Sequence, residues 1–138
     1  MSQYNIFVDT NVLINAYREK EEDKNCLHYL YALKGKRLYI SALSVAQFVS
    51  VFQKVIDNST IRKYVEQLLH RFIVVSFNEQ DIQNAIKIDG SDIEDNIQYS
   101  ISQKVKCPYF ITNNLKDYRH YDNLASVMKP SEVRLIHR

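Results

Sequence analysis

Ile6-Phe7-Val8-Asp9-Thr10-Asn11-Val12-Leu13-Ile14 decides how this chain is read. A short apolar run ends in a carboxylate, two small polar residues follow, and a second apolar run begins. The pattern predicts a buried strand whose last residue, Asp9, emerges at the carboxyl end, with Thr10 and Asn11 forming a turn or helix cap. In open α/β sheets that edge is where ligands bind. An acid there, with further acids at similar junctions later in the chain, points to a metal site; alone, Asp9 reads first as an N-cap or turn aspartate.

The same alternation continues outward. Strands are expected at Tyr4–Val8, Leu38–Ile40, Phe72–Phe77 and Pro108–Ile111, with a fifth at Val133–Ile136 on an edge. Between them, apolar residues recur at helical spacing over Glu22–Lys34, Ser44–Ile56, Thr60–Phe72, Glu79–Ile88 and Ile93–Val105. Strands alternating with helices imply βαβ units and a mostly parallel sheet of four or five strands, flanked by helices in an α/β fold. Asp57-Asn58-Ser59-Thr60 and Asp89-Gly90-Ser91-Asp92 read as turns feeding helix caps. No linker or repeat interrupts the pattern, so residues 1–138 are expected to form one domain.

Composition narrows the chemistry. With only Gly35 and Gly90, no glycine-rich phosphate loop can be written. Cys26 and Cys107 form no paired motif, which suggests a reducing cytoplasm rather than a disulfide framework. The four histidines, His28, His70, His120 and His137, lack zinc spacing. The start of the chain lacks the pattern of a signal peptide, and no apolar stretch is long enough to span a membrane. The net charge of +2 neither proves nor excludes a nucleic-acid partner.

Two further clusters carry polar and acidic residues. In Ser91-Asp92-Ile93-Glu94-Asp95-Asn96-Ile97-Gln98-Tyr99-Ser100, Ser91 or Asp92 can cap a helix, and acids in a first turn meet the macrodipole favourably. Asp95 is less fully explained: it borders the Ile93/Ile97/Ile101 stripe and can point into a cleft. In Tyr109-Phe110-Ile111-Thr112-Asn113-Asn114-Leu115-Lys116-Asp117-Tyr118, an apolar run again leads into small polar residues and an acid. There Asn114 can cap a short helix, with Asp117 at its third position.

The segments FVDTNVLINAY, SDIEDNIQYSIS and YFITNNLKDY, in that order and spacing, resemble the PIN-domain family, most closely the small ribonucleases of VapC-type toxin–antitoxin modules. The resemblance covers nearly the whole chain. It implies a three-layer PIN-like fold and an endoribonuclease that hydrolyses RNA phosphodiesters with metal-activated water. It places the metal-binding, catalytic acids at Asp9, Asp95 and Asp117, with Asp92 just before the second. Thr10, Asn11, Thr112 and Asn114 then orient water or phosphate. Where the family usually carries Glu on the helix after the second strand, this chain has Gln47, within Ser41-Ala42-Leu43-Ser44-Val45-Ala46-Gln47. Ser44-x-x-Gln47 also fits a capping box.

All-oxygen ligation favours Mg²⁺ or Mn²⁺. Gln47 implies a weakened metal site, and the alternative is a PIN module that binds RNA or protein without cutting. Lys116 and Arg119 are candidates for phosphate contacts, as are Lys104, Lys106, Arg18, Lys20 and His120. Tyr17, Tyr99, Tyr118 and Tyr121 offer stacking surfaces for bases. Phe48, Val49, Phe52, Val55, Ile56, Tyr64, Leu68 and Leu69 form mostly core, with enough apolar surface for a homodimer or an inhibitory partner segment. Relatives commonly dimerise and bind an antitoxin, which the resemblance extends to this chain.

Overall fold

The computed structural model describes residues 4–89, 92–121 and 126–136. Five parallel strands, β1 (Tyr4–Val8), β2 (Lys36–Ser41), β3 (Ile73–Val75), β4 (Tyr109–Ile111) and β5 (Ser126–Met128), form one sheet in the order β3-β2-β1-β4-β5. The chain builds outward from β1 on one side through β2 and β3, then crosses back to lay β4 and β5 on the other. The order therefore reverses between β1 and β4, and such a switch point opens a crevice beyond the carboxyl ends of the strands.

The helices are α1 (Thr10–Tyr17), α2 (Glu21–Ala32), α3 (Ala42–Phe52), α4 (Asn58–Arg71), α5 (Glu79–Ile86), α6 (Ile93–Lys104) and the single turn α7 (Leu115–Tyr118). Alternation along β1 divides the core between the two faces of the sheet. Ile6 and Val8 join Leu38, Ile40, Leu13, Leu30, Phe48 and Leu68 under α1–α4. Phe7 points the other way, stacked on Phe110 with ring centroids 5.3 Å apart, in a cluster with Ile101, Tyr118 and Tyr121. Of the apolar residues considered for a dimer surface, Phe48, Phe52 and Leu68 are buried in the core, whereas Val55 and Leu69 are exposed.

One expected strand is corrected. Val133–Ile136 does not pair; Pro130–Leu135 forms a 3₁₀-helix, and the fifth strand is Ser126–Met128. Pro130 fixes φ for a helical start and has no N–H to give a ladder. The Lys129 N–H closes that turn by donating to Glu132 Oε1 at 2.9 Å. Val133 and Ile136 are buried all the same, against α2.

A second correction concerns helix starts. Ser41, not Ser44, is the N-cap of α3, its Oγ accepting from the Ser44 N–H at 2.9 Å, so the Ser44-x-x-Gln47 capping box does not form. Asp92 caps α6 as expected, accepting from the Asp95 N–H at 3.2 Å, while Gly90 and Ser91 lie outside the described residues. Asn114 stands at the N-cap of α7 without a side-chain cap bond. The Ile93/Ile97/Ile101 stripe is not the buried face of α6. Ile93 is exposed, and the buried positions include Asn96, Gln98, Ser100 and Ser102 beside Ile101.

Candidate active site

Asp9 leaves β1 at the switch point, with its N–H bonded to the Ile111 carbonyl of β4, and its carboxylate is almost fully buried. Four groups donate to it. Oδ1 accepts from the Thr10 N–H (2.8 Å) and Gln98 Nε2 (3.2 Å); Oδ2 accepts from Asn11 Nδ2 (2.9 Å) and Thr112 Oγ1 (2.8 Å). Burial pushes the carboxyl above its ordinary range, and the hydrogen bonds from Thr112, Gln98, Thr10 and Asn11 pull the other way. The carboxylate is thereby clamped by residues from α1, α6 and the loop after β4.

Beside it lies a buried patch of hydroxyls and amides. Thr10 Oγ1 donates to Gln47 Oε1 at 2.6 Å, and the Thr10 and Ser44 hydroxyls share a 2.7 Å hydrogen bond. Ser41 Oγ donates to Gln98 Oε1 at 2.5 Å, while Gln98 Nε2 also reaches Ser44 Oγ at 2.8 Å. Each hydroxyl has one proton to give, so the Thr10 proton belongs to Gln47 Oε1 and Ser44 gives its own to Thr10. Gln47 thus faces the site through its carbonyl oxygen, joined to Asp9 through Thr10. The patch carries no ionisable group.

Asp95, on the first turn of α6, stands half-buried and accepts from the Tyr118 hydroxyl at 3.2 Å. Its carboxyl is pushed up to about 6, first by burial, then by the negative charges of Asp92, Asp117 and Asp9, with the Tyr118 hydrogen bond opposing. Three acids from three parts of the sequence therefore act on Asp95. Neither ion pair found among the described residues, Lys24–Glu19 and Lys104–Asp81, neutralises them.

The other expected residues fall in different places. Asp117 and Asn114 are exposed on and before α7, as are Lys116 and Arg119. Thr10, Asn11 and Thr112 are engaged with Gln47, with Asp9 and with one another, and Thr112 Oγ1 also accepts from the Asn114 N–H at 3.0 Å. Lys104 does not face the cleft: it pairs with Asp81 at 3.0 Å and caps the Ser76 carbonyl. Tyr118 and Tyr121 are core residues rather than open stacking surfaces. Burial, with the charges of Asp9 and Asp95 nearby, holds the Tyr118 hydroxyl firmly protonated. Arg18 lies over the Phe52 ring at 5.9 Å.

Sequence reasoning missed Gln98, Ser41 and Ser44, whose buried polar side chains interrupt apolar patterns, and also Asp23 and Asn113. The available signal was Gln98 at i+3 from Asp95 on a helix already singled out, a spacing that puts both on one face.

The donor set suits a hard divalent cation in charge and chemistry: carboxylate oxygens in excess, with no ion-pair partner among the described residues. Among the described residues no three His, Cys, Asp or Glu side chains converge tightly enough to cage an ion by themselves.

The comparisons agree with this architecture. The PIN-domain family model matches residues 6–124. The chain is similar to ribonuclease VapC1 of Aquifex aeolicus (strain VF5), 19% identical over 130 residues that span 86% of this chain and 87% of that one. Among solved structures, a chain of a toxin–antitoxin complex from Klebsiella pneumoniae matches with a TM-score of 0.67 at 18% identity, covering 91% of this chain and 97% of that one. VapBC2 from Rickettsia felis, bound to a DNA fragment from its promoter, matches with a TM-score of 0.68 at 15% identity, covering 90% and 98%. A match of the family model over most of the sequence settles the kinship: this chain belongs to the PIN-domain family.

Proposed function

We propose that the protein is a Mg²⁺- or Mn²⁺-dependent endoribonuclease, the toxin of a toxin–antitoxin pair, acting in the cytoplasm. The observation that carries this reading is the group of acids at the switch point, uncompensated by any cation among the described residues and close enough for Asp95 to be pushed up to about 6. Such crowding of like charge costs stability and is a mark of functional sites. Similarity to a ribonuclease supports the reaction class, and similarity to toxin–antitoxin complexes supports an antitoxin partner.

Asp9 and Asp95 would hold the ion, with Asp117 as a further ligand or as an acceptor that positions water. A bound divalent ion supplies Lewis acidity toward a phosphodiester and lowers the pKa of a coordinated water. The chain's own residues supply geometry. Asn11, Thr112, Gln98 and the Thr10 N–H fix the plane of the Asp9 carboxylate, and Tyr118 steadies Asp95. Lys116 and Arg119, exposed beside Asp117, would contact RNA phosphates outside the cleft. A homodimer would extend that surface.

A second reading rests on Gln47. Its amide brings a carbonyl oxygen but no charge to the site, which favours a PIN module that binds RNA or a protein partner without cutting. Incubation of a mixed RNA pool with the protein in Mn²⁺, Mg²⁺ or EDTA, beside Asp9→Asn, separates the two. Cleavage that needs metal and is lost in the variant supports the nuclease. An intact pool with well-folded protein refutes it in favour of the binding module.

A further inference from the structure

A second buried carboxylate, Asp23, lies at the far end of a hydrogen-bonded chain that begins at Asp9. It sits in the first turn of α2 and is only 3% exposed. Asp23 Oδ2 accepts from Asn113 Nδ2 at 2.8 Å and from Asn15 Nδ2 at 3.4 Å. Asn113 Nδ2 also donates to Asn11 Oδ1 at 3.1 Å, and the Asn113 backbone N–H donates to the same oxygen at 3.0 Å. Asn11 Nδ2 then donates to Asp9 Oδ2 at 2.9 Å and to Thr112 Oγ1 at 3.2 Å.

The polarity of this chain is fixed by chemistry. A backbone N–H can only donate, so Asn11 must turn its oxygen to Asn113 and its amide hydrogens to Asp9. Asn113 has one amide nitrogen and places it between two acceptors, Asn11 Oδ1 and Asp23. An ionised carboxylate accepts and never donates, so Asp23 holds Asn113 in that orientation and, through it, Asn11. Two carboxylates thus terminate a pair of amides, one at the site and one under α2, about ninety positions before Asn113 in sequence.

We infer that Asp23 is a positioning residue for the Asp9 carboxylate: by locking the Asn113 and Asn11 amides it fixes the face of Asp9 that receives a divalent ion. The inference rests on the reading of Asp9 as a metal ligand. An acid in the first turn of α2 also favours the helix dipole, and Asp23 pins the α1–α2 connection to the loop after β4. Those roles affect folding alone; the positioning role also moves ion affinity and the mobility of the Asn11 amide.

The test uses the whole protein, with Asp23→Asn and Asn113→Ala, singly and together. Mn²⁺ affinity is measured by calorimetry, and the Asn11 side-chain amide is followed by nitrogen-15 NMR. Loss of an outer partner of a ligand typically weakens ion binding by about 10- to 100-fold. Asp23→Asn should weaken Mn²⁺ binding by about 10-fold and speed exchange of the Asn11 amide in a chain that still folds. Because both groups act along one chain, the double variant should lose little more than either single one. Conservation of Mn²⁺ affinity and of the Asn11 signal in a folded Asp23→Asn overturns the inference. If wild type binds no Mn²⁺, the nuclease reading fails, and the Asn11 signal alone then decides whether Asp23 positions it.

Discussion

Replacing Asp95 by Asn should make the ion-free protein more stable near neutral pH, and the sign of the pH dependence is the sharp test. In the folded chain the carboxyl titrates at about 6, raised from 3.8. Taken whole, a shift of that size corresponds to roughly 3 kcal/mol at about 1.4 kcal/mol per unit. The side chain is only half-buried, so solvent screening reduces the figure to about 1 kcal/mol. Because the folded state holds this proton more tightly than the unfolded one, the stabilisation is full below about pH 4 and is lost as pH rises through about 6.

The amide that Asp95→Asn introduces cannot titrate, so the melting temperature of the variant relative to wild type should climb between about pH 4 and pH 7, by roughly 3 °C for a chain of this size. Thermal scans in EDTA across that range measure it. The helix dipole at the start of α6 works in the opposite sense by favouring the charged form. A gap that stays flat, or closes as pH rises, would show that the dipole prevails and that the acids at the sheet edge do not strain one another. Addition of Mn²⁺ at neutral pH should reverse the ranking, stabilising wild type and leaving the variant unmoved.

Gln47→Glu should strengthen Mn²⁺ binding by about tenfold, since ligand charge tunes the affinity of oxygen sites. It should also lower ion-free stability; calorimetry with thermal scans reads both, and unchanged affinity would remove Gln47 from the site. Tyr118→Phe deletes the donor that holds Asp95 down, so its carboxyl should titrate above the present value of about 6. Carbon-13 NMR of the carboxyl carbon follows this, and an unmoved titration would mean that the Tyr118 bond is not made in solution.

The alternation of apolar strands and periodic helices made the layers legible, because β1, the helices and the sheet edge carrying Asp9 are written in local patterns. Val133–Ile136 misled for a local reason: its apolar residues pack in a 3₁₀-helix started by Pro130, while the real fifth strand, Ser126–Met128, is too short to show a period. The three candidate acids stood out because each follows a strand or opens a helix. Gln98 could not be found that way. It is a buried polar residue whose reason for burial is Asp9, 89 positions earlier, and pattern reading has no access to such a pairing. Ser44 and Gln47 were assigned to each other by spacing, yet the fold gives both to Thr10. Tyr118 and Tyr121 looked like surface for bases because a tyrosine beside polar residues reads the same whether its ring faces inward or outward.

Asp9 is synthesised well before half of its clamp. The Thr112 hydroxyl that holds Oδ2 arrives 103 residues later, and the Gln98 amide that holds Oδ1 arrives 89 residues later. A growing polypeptide therefore carries the acid with only Thr10 and Asn11 to hold it until β4 has left the ribosome, since the strand that brings Thr112 must dock beside β1 first. Chain ends produced by stalled synthesis or proteolysis before residue 112 would leave Asp9 without that hydroxyl.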